Sequence, residues 1–201
     1  TRAMARRKGI AVYEGSGFGA LEVLRRDLAG ERPMSPHLEY HMTGESLENW
    51  AMLLKEGRLG QGEDRDRPDE FMCDSCYYER LKCIKEEDLD WHASYQLGVM
   101  HLYYGKEEAA REAFLYSFSL RENPWACHGL AMQKEQSAEA ADWLEKGIGM
   151  RKADLSYVKE GLRLILKTKE YRSVIRICEE LPEKTRTESR VVFDYLTALS
   201  H

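Results

Sequence analysis

Apolar residues return every three or four positions along most of this 201-residue chain, the spacing of helices that bury one stripe. The clearest stretch is WHASYQLGVMHLYYGKEEAAREAFLYSFSLRENP, Trp91 to Pro124. Its first half places Ser94, Leu97, Gly98 and His101 at i, i+3, i+4 and i+7, and Gly105 ends that run. A second helix then turns Ala110, Phe114, Ser117 and Phe118 inward and closes at Asn123-Pro124. Two amphipathic helices joined by a tight turn cannot bury their own apolar faces, so the pattern predicts stacked copies.

Copies are legible downstream. Cys127, Leu130 and Ala131 mark a first helix, and Ala140, Leu144, Gly147 and Ile148 a second. A third unit runs through Val158, Gly161, Leu162 and Ile165, then Tyr171, Val174, Cys178 and Leu181, with Pro182 as its stop. RVVFDYLTALSH opens a fourth. Upstream, SLENWAMLLKEGRLG places Trp50, Leu53 and Leu54 on one stripe, and the charged stretch QGEDRDRPDE separates it from a cysteine-bearing helix. The expectation is an all-α fold of about three and a half helix pairs, over 46–90, 91–124, 125–152, 153–187 and a partial 188–201. Residues 1–45 are read as an irregular segment with a short helix from Leu21 to Leu28.

Leu97-Gly98, Ala110, Phe114, Ser117 and Pro124 resemble the tetratricopeptide repeat family, whose 34-residue unit has a Leu-Gly pair on helix one and small residues on helix two. The third unit departs from that pattern, with Gly161-Leu162 in reverse order and bulky Val174 and Leu181 at small-residue positions. The resemblance covers about residues 46–201 and implies a short right-handed superhelix whose concave face holds partners. GFGALE, W-x2-LL, WHASYQLGVM and NPWA further resemble large uncharacterised bacterial proteins with a mutarotase-like N-terminal β-sandwich and C-terminal repeats. That resemblance implies a repeat tail that positions or oligomerises a carbohydrate-active domain absent from this chain.

MCDSCYYERLKC, residues 72–83, packs three of the chain's five cysteines together. One repeat period before Ala110 and Ser117 stand Cys76 and Cys83, where close helix approach demands small side chains; a buried free cysteine meets that demand. The rival reading is a metal site built from Cys73 and Cys76 with His37 and His41, but a strong zinc signature needs a second pair at suitable spacing. At Gly15, Gly17 and Gly19 a glycine-rich loop opens a helix. Its G-x-G-x-G spacing lacks both the dinucleotide fingerprint and the P-loop Lys, which leaves a loop before a packing helix.

Composition narrows the function classes. The chain is 43% hydrophobic and 32% charged, ordinary for a globular fold. Its net charge of -5 opposes general affinity for nucleic acid or anionic lipid, which needs a clustered basic face. Five cysteines, an odd number in a chain that needs no staples, imply a reducing and hence cytoplasmic setting. The chain opens TRAMARRKG without Met or an apolar leader, like a piece of something longer. No nucleophile elbow, H-E-x-x-H or kinase loop is present, so no enzymatic activity and no cofactor is expected of this chain.

The family's groove positions fall on His92, Tyr95, Val99 and Tyr103; on Trp125, His128 and Met132; and on Ser156, Lys159, Arg163 and Lys167. An aromatic and Met centre suits adaptable anchoring of a peptide, and a basic end suits carboxylates. His101, by contrast, is expected on the packed stripe. The function expected is protein or peptide binding in that groove, with an intramolecular domain or a second copy as the other occupants.

Overall fold

Side-chain caps and glycine stops divide the chain into helices close to where the apolar period breaks. The computed structural model describes residues 13–15, 17–34, 38–42, 44–60, 66–134 and 137–201. Among the described residues it is all-α except for one two-stranded pairing, and it divides into two compact units, Thr1–Leu89 and Asp90–His201. The helices expected as the first repeat therefore lie in the same unit as the N-terminal segment.

In the first unit, strand β1 (Tyr13–Gly15) pairs in parallel with β2 (Leu38–Tyr40), and helix α1 (Gly17–Ala29) connects them. This corrects two expectations: a strand stands where a loop was read, and the helix starts four residues before Leu21. Three residues of pairing are too few to set up a period-2 pattern that the sequence could reveal. Gly19 is required by packing, because a Cβ there would run into the Tyr40 ring. Helix α2 (Glu45–Glu56) ends on Gly57, whose φ of 73° suits the left-handed cap and whose N–H bonds Leu53 O at 3.1 Å. Trp50 is wholly buried, donates Nε1–H to Glu70 O at 2.8 Å, and meets the Tyr77 ring edge-on at 5.6 Å.

Helix α3 (Ser75–Lys82) starts at Asp74, which accepts the Cys76 N–H at 2.8 Å. Its buried face is Tyr77, Tyr78 and Leu81, with Ile84 following. Cys76 is only half-buried, and Cys73 and Cys83 are exposed, so the core reading of these cysteines is overturned. The larger side chains bury more apolar area and take the inward face, and the enlarged loop upstream breaks the period on which the alignment relied.

The second unit is a run of helices: α4 (Trp91–Tyr103), α5 (Glu107–Leu120), α6 (Pro124–Gln133), α7 (Ala138–Met150), α8 (Leu155–Thr168), α9 (Tyr171–Glu180), a short α10 (Glu183–Arg186) and α11 (Ser189–Leu199). Each of α4 to α8 packs on the helix that follows; α4 also touches α6, α7 touches α9, and α8 touches α11. Glycines on the first helices permit this approach. A Cβ on Gly98 would stand 2.6 Å from Phe114 Cε1, and one on Gly129 would stand 2.7 Å from Phe114 Cζ. Gly161 lies in the same way against Ile148 Cδ1, at 2.7 Å. Ala110, Phe114 and Ser117 are buried as expected, and Ser117 Oγ donates to Trp91 O at 2.6 Å, tying the second helix to the start of the first. A contiguous core runs from Ala131 to Ala198 through Leu144, Ile148, Leu162, Ile165 and Val174.

Candidate functional site

The first helices of the pairs, α4, α6 and α8, are each fixed at their N-terminus by an Asp or Asn side chain. Asp90 Oδ1 accepts Ala93 N–H at 2.7 Å, Asn123 Oδ1 accepts Ala126 N–H at 2.8 Å, and Asp154 Oδ1 accepts Tyr157 N–H at 3.2 Å. Asn123 also donates Nδ2–H to Ser117 Oγ at 3.2 Å and to Arg121 O at 2.9 Å. These caps fix where each helix begins; the apolar packing of its inner face leaves the other stripe outward.

On α6 the outward stripe is Trp125, His128 and Met132, half-buried, half-buried and exposed. On α8 it is Ser156, Lys159, Arg163 and Lys167, all exposed except half-buried Lys159. On α4, Tyr103 is exposed, while Tyr95 and Val99 are half-buried and pack against the Phe114 cluster. The Tyr95 ring lies 5.7 Å from that of Phe114, and burial pushes its hydroxyl up to about 12. Tyr95 is thus as much a core residue as a surface one.

Tyr157 organises the centre of the site. Its hydroxyl donates to Pro124 O at 2.6 Å, its ring meets Trp125 edge-on at 5.7 Å, and the Arg151 guanidinium covers Trp125 at 5.3 Å. His128 lies 6.3 Å from the Tyr157 ring, with Nε2 3.5 Å from Glu160 Oε1. Lys159 approaches Glu188 at 4.0 Å. Glu160 and Glu188 therefore interrupt the expected basic end, and no groove pattern pointed to them. Arg163 and Lys167 make no ion pair with another described residue. Met132 and Lys167 meet on one shallow hollow, whose wall is Ala131, Ala140, Leu144, Leu164 and Thr168. With about 10 Å³ of space it is a dimple that encloses nothing, but an apolar surface with a cation at its rim suits contact with an apolar group beside a carboxylate.

Two histidine placements are corrected. His92 is 0% exposed, beside Gln96 Nε2 at 3.5 Å and edge-on to Trp91 at 5.7 Å, so it is no part of an open face. His101, expected inward, is half-buried. The signal for His92 lay in composition: no Asp, Glu, Lys or Arg occurs from Trp91 to Tyr103, and a helix without a charged face is buried on several sides.

Of the four residues in the metal alternative, His37 lies outside the described residues. Cys73 and His41 are exposed, and His41 Nε2 approaches Glu39 Oε1 at 3.6 Å. Among the described residues no cluster of three or more His, Cys, Asp or Glu is placed to hold a metal. Burial, with Asp74 adding to it, pushes the Cys76 thiol up to about 12; burial alone is the chief cause for Cys127, at about 12, and Cys178, at about 11. All three are poor thiolates near neutrality. Among the described residues no helix is long and apolar enough to cross a membrane. Comparison with family models, characterised proteins and solved structures finds no match.

Proposed function

We propose that this chain is a non-catalytic interaction module of tetratricopeptide-like character, its helix pairs wound as a short right-handed superhelix, that binds a peptide segment across the outward stripes of α6 and α8. The observation that carries the reading is the hollow shared by Met132 and Lys167, with Arg163 one turn away on the same helix. An apolar side chain of the ligand lies against the apolar surface around Met132, and a neighbouring carboxylate meets Lys167 and Arg163. Trp125, held by Tyr157 and Arg151, gives the site a rigid aromatic edge. Of the positions expected from the family pattern, His92 drops out and Tyr95 becomes a support.

The test is fluorescence polarisation against labelled peptides ending in a large apolar residue with a free carboxylate, each paired with its C-terminal amide. The reading expects the free acids to bind and the amides to bind at least tenfold more weakly, since a charge-assisted contact contributes about 1.5–3 kcal/mol. Arg163→Glu with Lys167→Glu, both exposed, leaves the circular dichroism unchanged and removes binding. Equal binding of acid and amide, or binding that survives the double variant, defeats the assignment.

A further inference from the structure

The last three helices of the second unit leave a hollow between them. Its volume is about 270 Å³, and its lining is Cys178 and Glu179 of α9, Arg186 of α10, and Val191, Val192 and Tyr195 of α11. Cys178 and Val191 are its deepest residues, 1% and 0% exposed. Tyr195 is half-buried, and Glu179 and Arg186 are exposed, at the rim. The hollow therefore has an apolar interior and one charge of each sign at its mouth.

Those two charges have no protein partner. Arg176 and Glu180 on α9, and Glu188 and Arg190 at the start of α11, are already paired: Arg176 with Glu145 at 2.6 Å, Glu180 with Lys152 at 2.8 Å, Glu188 with Lys159 at 4.0 Å and Arg190 with Asp194 at 3.2 Å. Glu179 and Arg186 face one hollow, yet neither makes an ion pair with the other or with any other described residue. Arg186 repels a lone cation and Glu179 a lone anion, so neither sign by itself is favoured. A zwitterion satisfies both through charge-assisted hydrogen bonds, its ammonium on Glu179 and its carboxylate on Arg186. Its remaining atoms must be apolar to lie against Val191, Val192 and the Cys178 thiol. Water occupies about 30 Å³ a molecule, so about 270 Å³ takes about nine non-hydrogen atoms, the size of leucine, isoleucine or methionine.

We propose that the hollow between α9, α10 and α11 binds a free α-amino acid with an aliphatic or thioether side chain, leucine being the type. Glu179 holds the ammonium, Arg186 holds the carboxylate, and the side chain enters between Val191, Val192 and Cys178. Phosphorylated ligands are opposed by Glu179, and blocking either end of the amino acid removes one of the two polar contacts. Both contacts stand near solvent, where a charge pair contributes little, so binding is weak, with a Kd of about 0.1–5 mM. The site uses residues other than those of the α6–α8 peptide site and does not depend on that assignment.

The experiment is a titration of the whole nitrogen-15-labelled chain with L-leucine to about 20 mM, well past that range, followed by backbone amide NMR. The expected result is a set of saturable shifts at Cys178, Glu179, Arg186, Val191, Val192 and Tyr195, with α4 to α6 unmoved. L-leucinamide, which lacks the carboxylate, and N-acetyl-L-leucine, which lacks the ammonium, each bind about three- to fivefold more weakly. Glycine, with no side chain, gives no saturable shift. Glu179→Gln weakens L-leucine about three- to fivefold and leaves N-acetyl-L-leucine no weaker, while Arg186→Gln does the same for L-leucine and L-leucinamide. Both residues are exposed, and this crossed pattern separates recognition of the ligand from a disturbed fold. The absence of shifts at about 20 mM, shifts scattered over the chain, or equal binding of leucine and its two blocked forms overturns the proposal. A Glu179→Gln variant that still prefers L-leucine to N-acetyl-L-leucine by the full margin overturns it equally.

Discussion

Phe114 shows how one side chain can join three helices. It rises from α5 and lies against Gly98 of α4 and Gly129 of α6, where no Cβ fits. Truncating it leaves a hole that neither glycine can fill. Phe114→Ala is expected to cost about 3–5 kcal/mol in urea unfolding; a loss under 1 kcal/mol would mean that the pairs are not joined here. Asp194 acts in the opposite direction. It is wholly buried, burial raises its pKa, and the Arg190 guanidinium at 3.2 Å opposes that only in part. A carboxyl raised above its unfolded value of about 3.9 binds more protons folded than unfolded once the pH passes that value. Stability is therefore lost as pH rises from there through the raised pKa. Asp194→Asn should melt higher than the parent at pH 7 and lose the advantage by pH 4; a lower melting temperature at pH 7 would show that the Arg190 pair outweighs burial. Phe114 was legible in the sequence because its spacing from Gly98 and Ser117 is a packing rule. Burial of Asp194 was not, since a lone carboxylate in RVVFDYLTALS looks like a solvated one.

At the scale of elements, the caps separate two strengths of fastening. Asp154 caps α8 through Tyr157 N–H and also meets Arg151, both contacts part-buried. Asn123 caps α6 and, with its amide N–H, holds Ser117 and Arg121 at the end of α5. Asp154→Ala should cost about 1 kcal/mol, the ordinary worth of a cap. Asn123→Ala should cost about 2–3 kcal/mol, because buried partners at the α5–α6 corner lose their bonds as well. Equal losses in parallel urea titrations would refute a corner role for Asn123. The helices of the second unit were legible because Asx caps, Gly105 and two prolines punctuate a steady period. The cysteine helix was misread by one position: with the period broken by the charged loop upstream, residue size rather than alignment decides which face turns inward. The stripes of α6 and α8 were legible from the same period. Glu160, Glu188 and the α6–α8 hollow were not, since they depend on how neighbouring helices come together.

For the whole molecule, the question is whether the second unit unfolds as one body or pair by pair. Stacked helix pairs have chiefly nearest-neighbour contacts, and such arrays can unzip from an end. Here the core is unbroken from Ala131 to Ala198, and Phe114 ties α4 to α6 across α5. These links favour one cooperative transition. The cysteines are suited to decide it without any probe being added. Cys73 and Cys83 are exposed in the first unit and should react with a thiol reagent at once, and half-buried Cys76 more slowly. Cys127 on α6 and Cys178 on α9 are buried three helices apart in the second unit and should stay protected until it opens. Mass spectrometry of alkylated peptides over a urea series is expected to give Cys127 and Cys178 one midpoint, coincident with loss of helicity. If Cys178 reacts at lower urea than Cys127, then α9 to α11 open first. That result would make α9 to α11 the weaker part of the second unit, with Cys127 still protected where Cys178 has reacted.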